Sequence, residues 1–222
     1  MSRASALAFA AGFAVLAVLV AAGELSSVDQ WAVNRAMPGA AFAGRPTFAD
    51  AVIPLWGVHW HGVVHVVSEL VTLPASFTPA TLLVAGACLA VRGRAAVVFA
   101  AAFAAGNAIE VLVKGTLTRP ALHAHGVHLS GFDASYPSGH TLRTMLVVAA
   151  VAWAWPRLRL VAVAWAVTSI VLIELGGQHV PSDIAGGLLL AGALLATTWS
   201  LRRARWTGRR PSPACRPSSP AR

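Results

Sequence analysis

This sequence predicts an all-α, polytopic membrane protein: six transmembrane helices in a bundle, with a site at their outward ends. Three observations carry the prediction. Six apolar runs come near the roughly twenty residues a helix needs to cross a bilayer. Arginines gather at alternate ends of those runs. The chain is 57% hydrophobic with only 11% charged residues, too apolar for an ordinary soluble domain.

The first run, about Ser5 to Gly23, has the basic start of a signal peptide in Arg3. Its length and the spans behind it point instead to an uncleaved first helix within residues 1–23. Residues 24–71 are mixed in polarity and broken by Pro38, Pro46 and Pro54. Trp31, Trp56 and Trp60 mark the segment as extracytoplasmic and interfacial, with no full span. A helical core follows over residues 72–201, with spans at about Leu73–Val91, Ala95–Val113, Ser138–Trp155, Leu158–Leu175 and Pro181–Leu201. Residues 202–222 are rich in Arg, Pro and Ser and read as a disordered tail resting on anionic lipid.

Threading six spans puts Arg3, Arg92, Arg94, Arg157, Arg159 and the tail arginines on one side, which the positive-inside rule makes cytoplasmic. Both termini then lie in the cytoplasm of a multi-pass plasma (inner) membrane protein. Arg35, Arg45, Lys114, Arg119 and Arg143 fall on or near the other side, with all eight acidic residues and all eight histidines. The chemistry therefore faces outward. A formal net charge of +9 invites a nucleic-acid reading, but these arginines mark topology and build no aromatic-laced basic surface. Cys88 and Cys215 have neither metal-site spacing nor a plausible disulfide pairing.

Two blocks stand at the ends of spans: Tyr136-Pro137-Ser138-Gly139-His140 and, about forty residues on, His179-Val180-Pro181-Ser182-Asp183. A helix beginning at Pro137 or Ser138 turns free N–H groups and its positive dipole end outward, a ready site for an anion such as phosphate. Histidine suits attack on phosphorus or proton transfer near neutral pH. A third block, Lys114-Gly115-Thr116-Leu117-Thr118-Arg119-Pro120, converges on them in the six-span topology.

With these blocks the sequence resembles the type 2 phosphatidic acid phosphatase superfamily, relatives of the vanadium haloperoxidases, over about residues 70–200. The resemblance implies that His179 attacks phosphorus to form a phosphohistidine, that Asp183 orients it, and that His140 protonates the leaving oxygen. Lys114, Arg119, Ser138 and the Gly139 N–H would hold the phosphoryl oxygens. The residues support the same division of labour, since an attacking imidazole needs an orienter and the alkoxide a separate acid. No metal or other cofactor is required. The implied function is hydrolysis of a lipid phosphate or diphosphate, isoprenoid or phosphatidate-like, with membrane lipids as the surroundings. The alternatives are a lipid phosphotransferase and a non-catalytic relative that binds anionic headgroups or a partner.

Two departures from the family pattern stand out. Arg119 follows Lys114 by five residues where the family has seven, and the family's Ser-Arg pair falls on Leu172 and Ile173. Arg143, one turn beyond His140 on the same helix face, is the expected replacement for the lost guanidinium. A purely structural Arg143–Glu174 pair is the competing reading. Glu110, four residues before Lys114, is placed to hold that lysine. His61, His65 and Glu69 share a helical face, and His123, His125 and His128 crowd one loop near Asp133. Both read as interfacial or solvated surfaces in preference to metal sites.

Overall fold

The computed structural model describes residues 2–36, 60–124 and 126–207, with the backbone alone at 60–62, 65 and 202–207. Helix α1 (Arg3–Ala21) opens with a capping box, in which the Ser2 and Ser5 side chains satisfy each other's backbone N–H groups. It lies along the last helix, α8 (Pro181–Thr207), where small residues let the two approach: Gly12 faces Leu189, and Phe9 packs onto Gly192. The chain then turns at Gly23, with φ of +79° and Pro120 only 2.9 Å from where a Cβ would stand. Both facts demand glycine there.

The segment expected to be interfacial contains two helices, α2 (Ser26–Arg35) and α3 (Trp60–Thr72), while residues 37–59 lie outside the described residues. Ala32 and Val33 of α2 pack on Leu122, Leu129, Phe132 and Val180. This satellite core ties α2 to a short hairpin of β1 (His123–Ala124) and β2 (Val127–His128), which pairs His123 with His128. Helix α3 packs on α7 (Arg159–Leu175), and the Trp165 indole donates to the Val71 carbonyl at 3.0 Å.

Helices α4 (Phe77–Val91) and α5 (Gly93–Thr116) meet at a tight reversal, Arg92-Gly93, with both residues at positive φ. Helix α6 (Gly139–Ala154) is the hub of the bundle, packed against α4, α5, α7 and α8. The main core is built around it from Val84, Phe99, Phe103, Leu142, Leu146 and Leu190. Apolar side chains on the other helices, such as Leu82, Leu89, Val111 and Leu160, point outward and are exposed. A surface of this kind belongs in lipid.

Among the described residues five helical stretches are long and apolar enough to cross a membrane: Arg3–Ala21, Val66–Val91, Gly93–Thr116, Pro156–Leu175 and Pro181–Leu201. The second begins earlier than expected because the end of α3 runs into it through a 3₁₀ turn at Leu73–Ala75. The expected span over Ser138–Trp155 is the 16-residue α6, which falls short of that length. It is wrapped by protein, so its ends and polar groups meet other helices in place of lipid. Helix α8 continues past the expected end at Leu201, and the tail beyond residue 207 lies outside the described residues.

Candidate functional site

The end of α5, the start of α6, the end of α7 and the start of α8 come together at one end of the bundle. Ser138 is the N-cap of α6: its Oγ accepts from the Thr141 N–H at 3.2 Å and from the Thr141 hydroxyl at 3.0 Å. The Ser138 N–H donates to the Asp183 carbonyl at 2.9 Å, which joins the two motif blocks directly. The α8 glycines permit that closeness. A Cβ at Gly187 would stand 2.6 Å from the Ser138 carbonyl, and one at Gly186 2.4 Å from the Tyr136 ring. Tyr136 is fully buried, stacks on Phe13, and donates its hydroxyl to the Phe13 carbonyl. Burial, and then the Asp183 charge, push its phenol well above the ordinary range, which keeps it a donor.

His179 and His140 face each other across the cap with ring centroids 6.0 Å apart. Asp183, one helical turn from His179, receives its Nδ1–H on Oδ2 at 3.3 Å, which leaves Nε2 with the lone pair. The Ser135 hydroxyl donates to the same carboxylate oxygen at 2.5 Å. Oδ1 of Asp183 accepts from Arg119 at 2.8 Å. Arg119 in turn donates to Ser182 Oγ and is ion-paired to Asp29, which also receives the Ser182 N–H at 3.1 Å and its hydroxyl at 2.7 Å. Asp29 and Asp183 are fully buried. A carboxylate on the first turn of α8 is favoured by the helix dipole as well as by the guanidinium.

A second ionic group lies beside Gly139. Glu110 packs so tightly there that a Cβ on Gly139 would overlap its carboxylate. Lys114 donates to Glu110 Oε1 at 2.9 Å, the pairing its spacing suggests. Arg143 donates to Glu110 Oε2 at 2.5 Å, to Asn107 Oδ1 at 3.0 Å and, through Nε, to the Ala75 carbonyl at 2.7 Å. Arg143 therefore pairs with Glu110, and the Glu174 pairing considered from the sequence is not the one formed. The N–H groups of Gly139 and His140 belong to the first turn of α6, where no intrahelical carbonyl is available to them.

The structure thus brings together His140, His179, Asp183, Ser138, Gly139, Lys114, Arg119 and Arg143. Arg119, expected among the phosphate ligands, has both terminal nitrogens on acidic and hydroxyl partners, and its buried Nε finds no partner among the described residues. Ile173, where the family pattern has arginine, is fully buried in α7. Sequence reasoning missed Asp29, Ser135 and Asn107. Only Asp29 carried a signal, as an acid one turn into an otherwise weakly patterned helix. His123 and His128 lie with rings 5.6 Å apart, and His128 bonds the Asp133 carboxylate at 2.8 Å on the exposed hairpin. The side chains of His61, His65 and His125 lie outside the described residues. Among those described, no group of three or more side chains is arranged to hold a metal ion.

Fold and site together define a polytopic helical membrane protein with paired histidines at a capped helix end. The family model of the PAP2 superfamily matches residues 95–207, just over half of the chain, and the protein belongs to that family. The fold is similar to the crystal structure of the first transmembrane PAP2 type phosphatidylglycerolphosphate phosphatase from Bacillus subtilis. That similarity has a TM-score of 0.58 and 15% sequence identity, and it covers 90% of this chain and 96% of that one. No curated protein sequence matches the chain.

Proposed function

We propose that this protein is a phosphatase of the outer membrane leaflet that hydrolyses a lipid phosphate or diphosphate through a phosphohistidine on His179. The carrying observation is the His179–Asp183 bond at Nδ1 with His140 across the Ser138 cap. Nε2 of His179 attacks phosphorus, and Asp183 supports the charge that develops on the ring. His140 donates a proton to the departing alkoxide and then takes one from the water that cleaves the phosphohistidine. Lys114, Arg143, the Ser138 hydroxyl and the Gly139 N–H stabilise the equatorial oxygens.

The lipid assignment is supported by the position of the site at the helix ends and by Trp31, which is 62% exposed on the adjacent α2, as an interfacial anchor would be. In the topology we favour, α6 is a sixth, protein-wrapped crossing and the arginine-rich turns face the cytoplasm. A cysteine introduced at Gly126 should then label from outside and Cys215 from inside.

The decisive assay offers purified protein in detergent and EDTA a panel of isoprenoid diphosphates and phosphatidate-like lipids. Wild type should release phosphate from at least one, and His179→Ala and His140→Ala should not. Acid-labile phosphate should be trapped on His179. Wild-type release no greater than that of the two variants on every substrate would falsify the enzyme reading.

A further inference from the structure

We propose that Asp29, on α2 and outside the family-matched residues, is a positioning residue for His179 that acts through Arg119 and Asp183. The inference rests on the phosphohistidine reading and extends the working machinery to the segment behind the first helix.

The geometry is a relay of four charged or ionisable groups. Asp29 holds Arg119 and, through the Ser182 N–H and hydroxyl, the first turn of α8. Arg119 grips Oδ1 of Asp183, which leaves Oδ2 for His179 and Ser135. Asp29, Arg119, Asp183 and His179 are all buried, so a partner removed from the relay leaves a desolvated charge behind. Without the Asp29 charge, the guanidinium has one carboxylate to neutralise it and draws more strongly on Asp183. The competitor for that pull is the His179 bond, which at 3.3 Å is the longest link in the relay and so the first to yield. Asp29 balances Arg119 from the opposite side and keeps Asp183 available to the ring.

The placement also accounts for the short Lys114–Arg119 spacing. Arg119 sits beside Pro120, which packs on Gly23 at the turn into α2. The loop carries its guanidinium to the acids of α2 and α8, while Lys114 and Arg143 remain with Glu110 near Gly139. Arg119 is a buttress in this arrangement, and the anion is left to the other two cations.

The test compares wild type, Asp29→Asn and Arg119→Gln on the best lipid substrate, with active sites counted by trapped acid-labile phosphate. Asp29→Asn should lower kcat per site by about tenfold or more while KM stays within about twofold, because orientation of the nucleophile is lost and substrate contacts are kept. Arg119→Gln should follow the same pattern. A purely structural latch would reduce the number of active sites and leave kcat per site unchanged, which overturns the proposal. A KM rise of about tenfold in Arg119→Gln at constant kcat also overturns it, since Arg119 would then be on the substrate through its spare Nε. If Asp29→Asn cannot be recovered folded, Ser182→Ala decides, as it removes the hydroxyl shared by Asp29 and Arg119. A fall in kcat per site of about threefold supports the relay, and none refutes it. A wild type without phosphatase activity instead removes the underlying reading, and this inference with it.

Discussion

Two ionic clusters flank the histidine pair, and they have opposite balances. Behind His179, two carboxylates, Asp29 and Asp183, share one guanidinium, Arg119, and all three are buried. Beside Gly139, one carboxylate, Glu110, is shared by two cations, Lys114 and Arg143. The first cluster has a surplus of negative charge, which in the proposed reaction favours the His179 imidazole as it becomes positive. The second has a surplus of positive charge next to a helix N-terminus, where a phosphoryl group is best received. In the proposed reaction, acid and base residues of the same types serve opposite ends of one step, by their ratio and their neighbours.

The comparison can be broken at its strongest point first. Asp183→Asn should lower kcat by ~10³–10⁴-fold with KM nearly unchanged, because the ring loses both its tautomer and its counter-charge. A comparable rise in KM would mean that the negative cluster also contacts substrate. Arg143→Ala should cost about 2–5 kcal/mol of transition-state binding, read as a loss of tens- to thousands-fold in kcat/KM, with partial recovery in Arg143→Lys. Undiminished activity in Arg143→Ala would leave it a purely structural partner of Glu110. Lys114 is the more exposed cation, its side chain 30% accessible, and Lys114→Ala should raise KM by about tenfold. Inhibition by inorganic phosphate should weaken in parallel, and unaltered inhibition would exclude Lys114 from the anion site. At the seam between the clusters, Gly187→Ala forces a Cβ against the Ser138 carbonyl and should destabilise by about 1–3 kcal/mol. A thermal midpoint equal to wild type would show that α8 can back away without cost. The smallest effect belongs to the hairpin. His128→Ala removes an exposed imidazole that bonds the half-exposed Asp133 carboxylate on the hairpin, and should leave turnover within about twofold of wild type.

Much of the site was legible because its residues are local in sequence. Ser138 and Gly139 begin a helix, and His179 and Asp183 are one turn apart, so backbone geometry alone places each pair on a common face. The Glu110–Lys114 pair follows from the same spacing. Arg143 was read as the cation that follows His140 by one turn, but its partner was not legible. Glu110 and Glu174 both lie on neighbouring helices, and only packing decides which carboxylate it meets. Asp29 was missed for the same reason. It lies 90 residues from Arg119 and 153 from Ser182, and no periodicity connects them.

Membrane residence and helical class were determined by the sequence itself, because backbone groups in lipid must be satisfied within each apolar run and the runs have the required length. The sequence likewise named the histidines and the capped helix, through spacings that local geometry turns directly into contacts. What only the tertiary structure decided is which buried charges neutralise one another. In a low-dielectric interior each charge requires a partner, but several partners are chemically equivalent, and the packing of α2, α5, α6 and α8 selects among them. That selection separated Arg119, which is held by Asp29 and Asp183, from Lys114 and Arg143, which share Glu110.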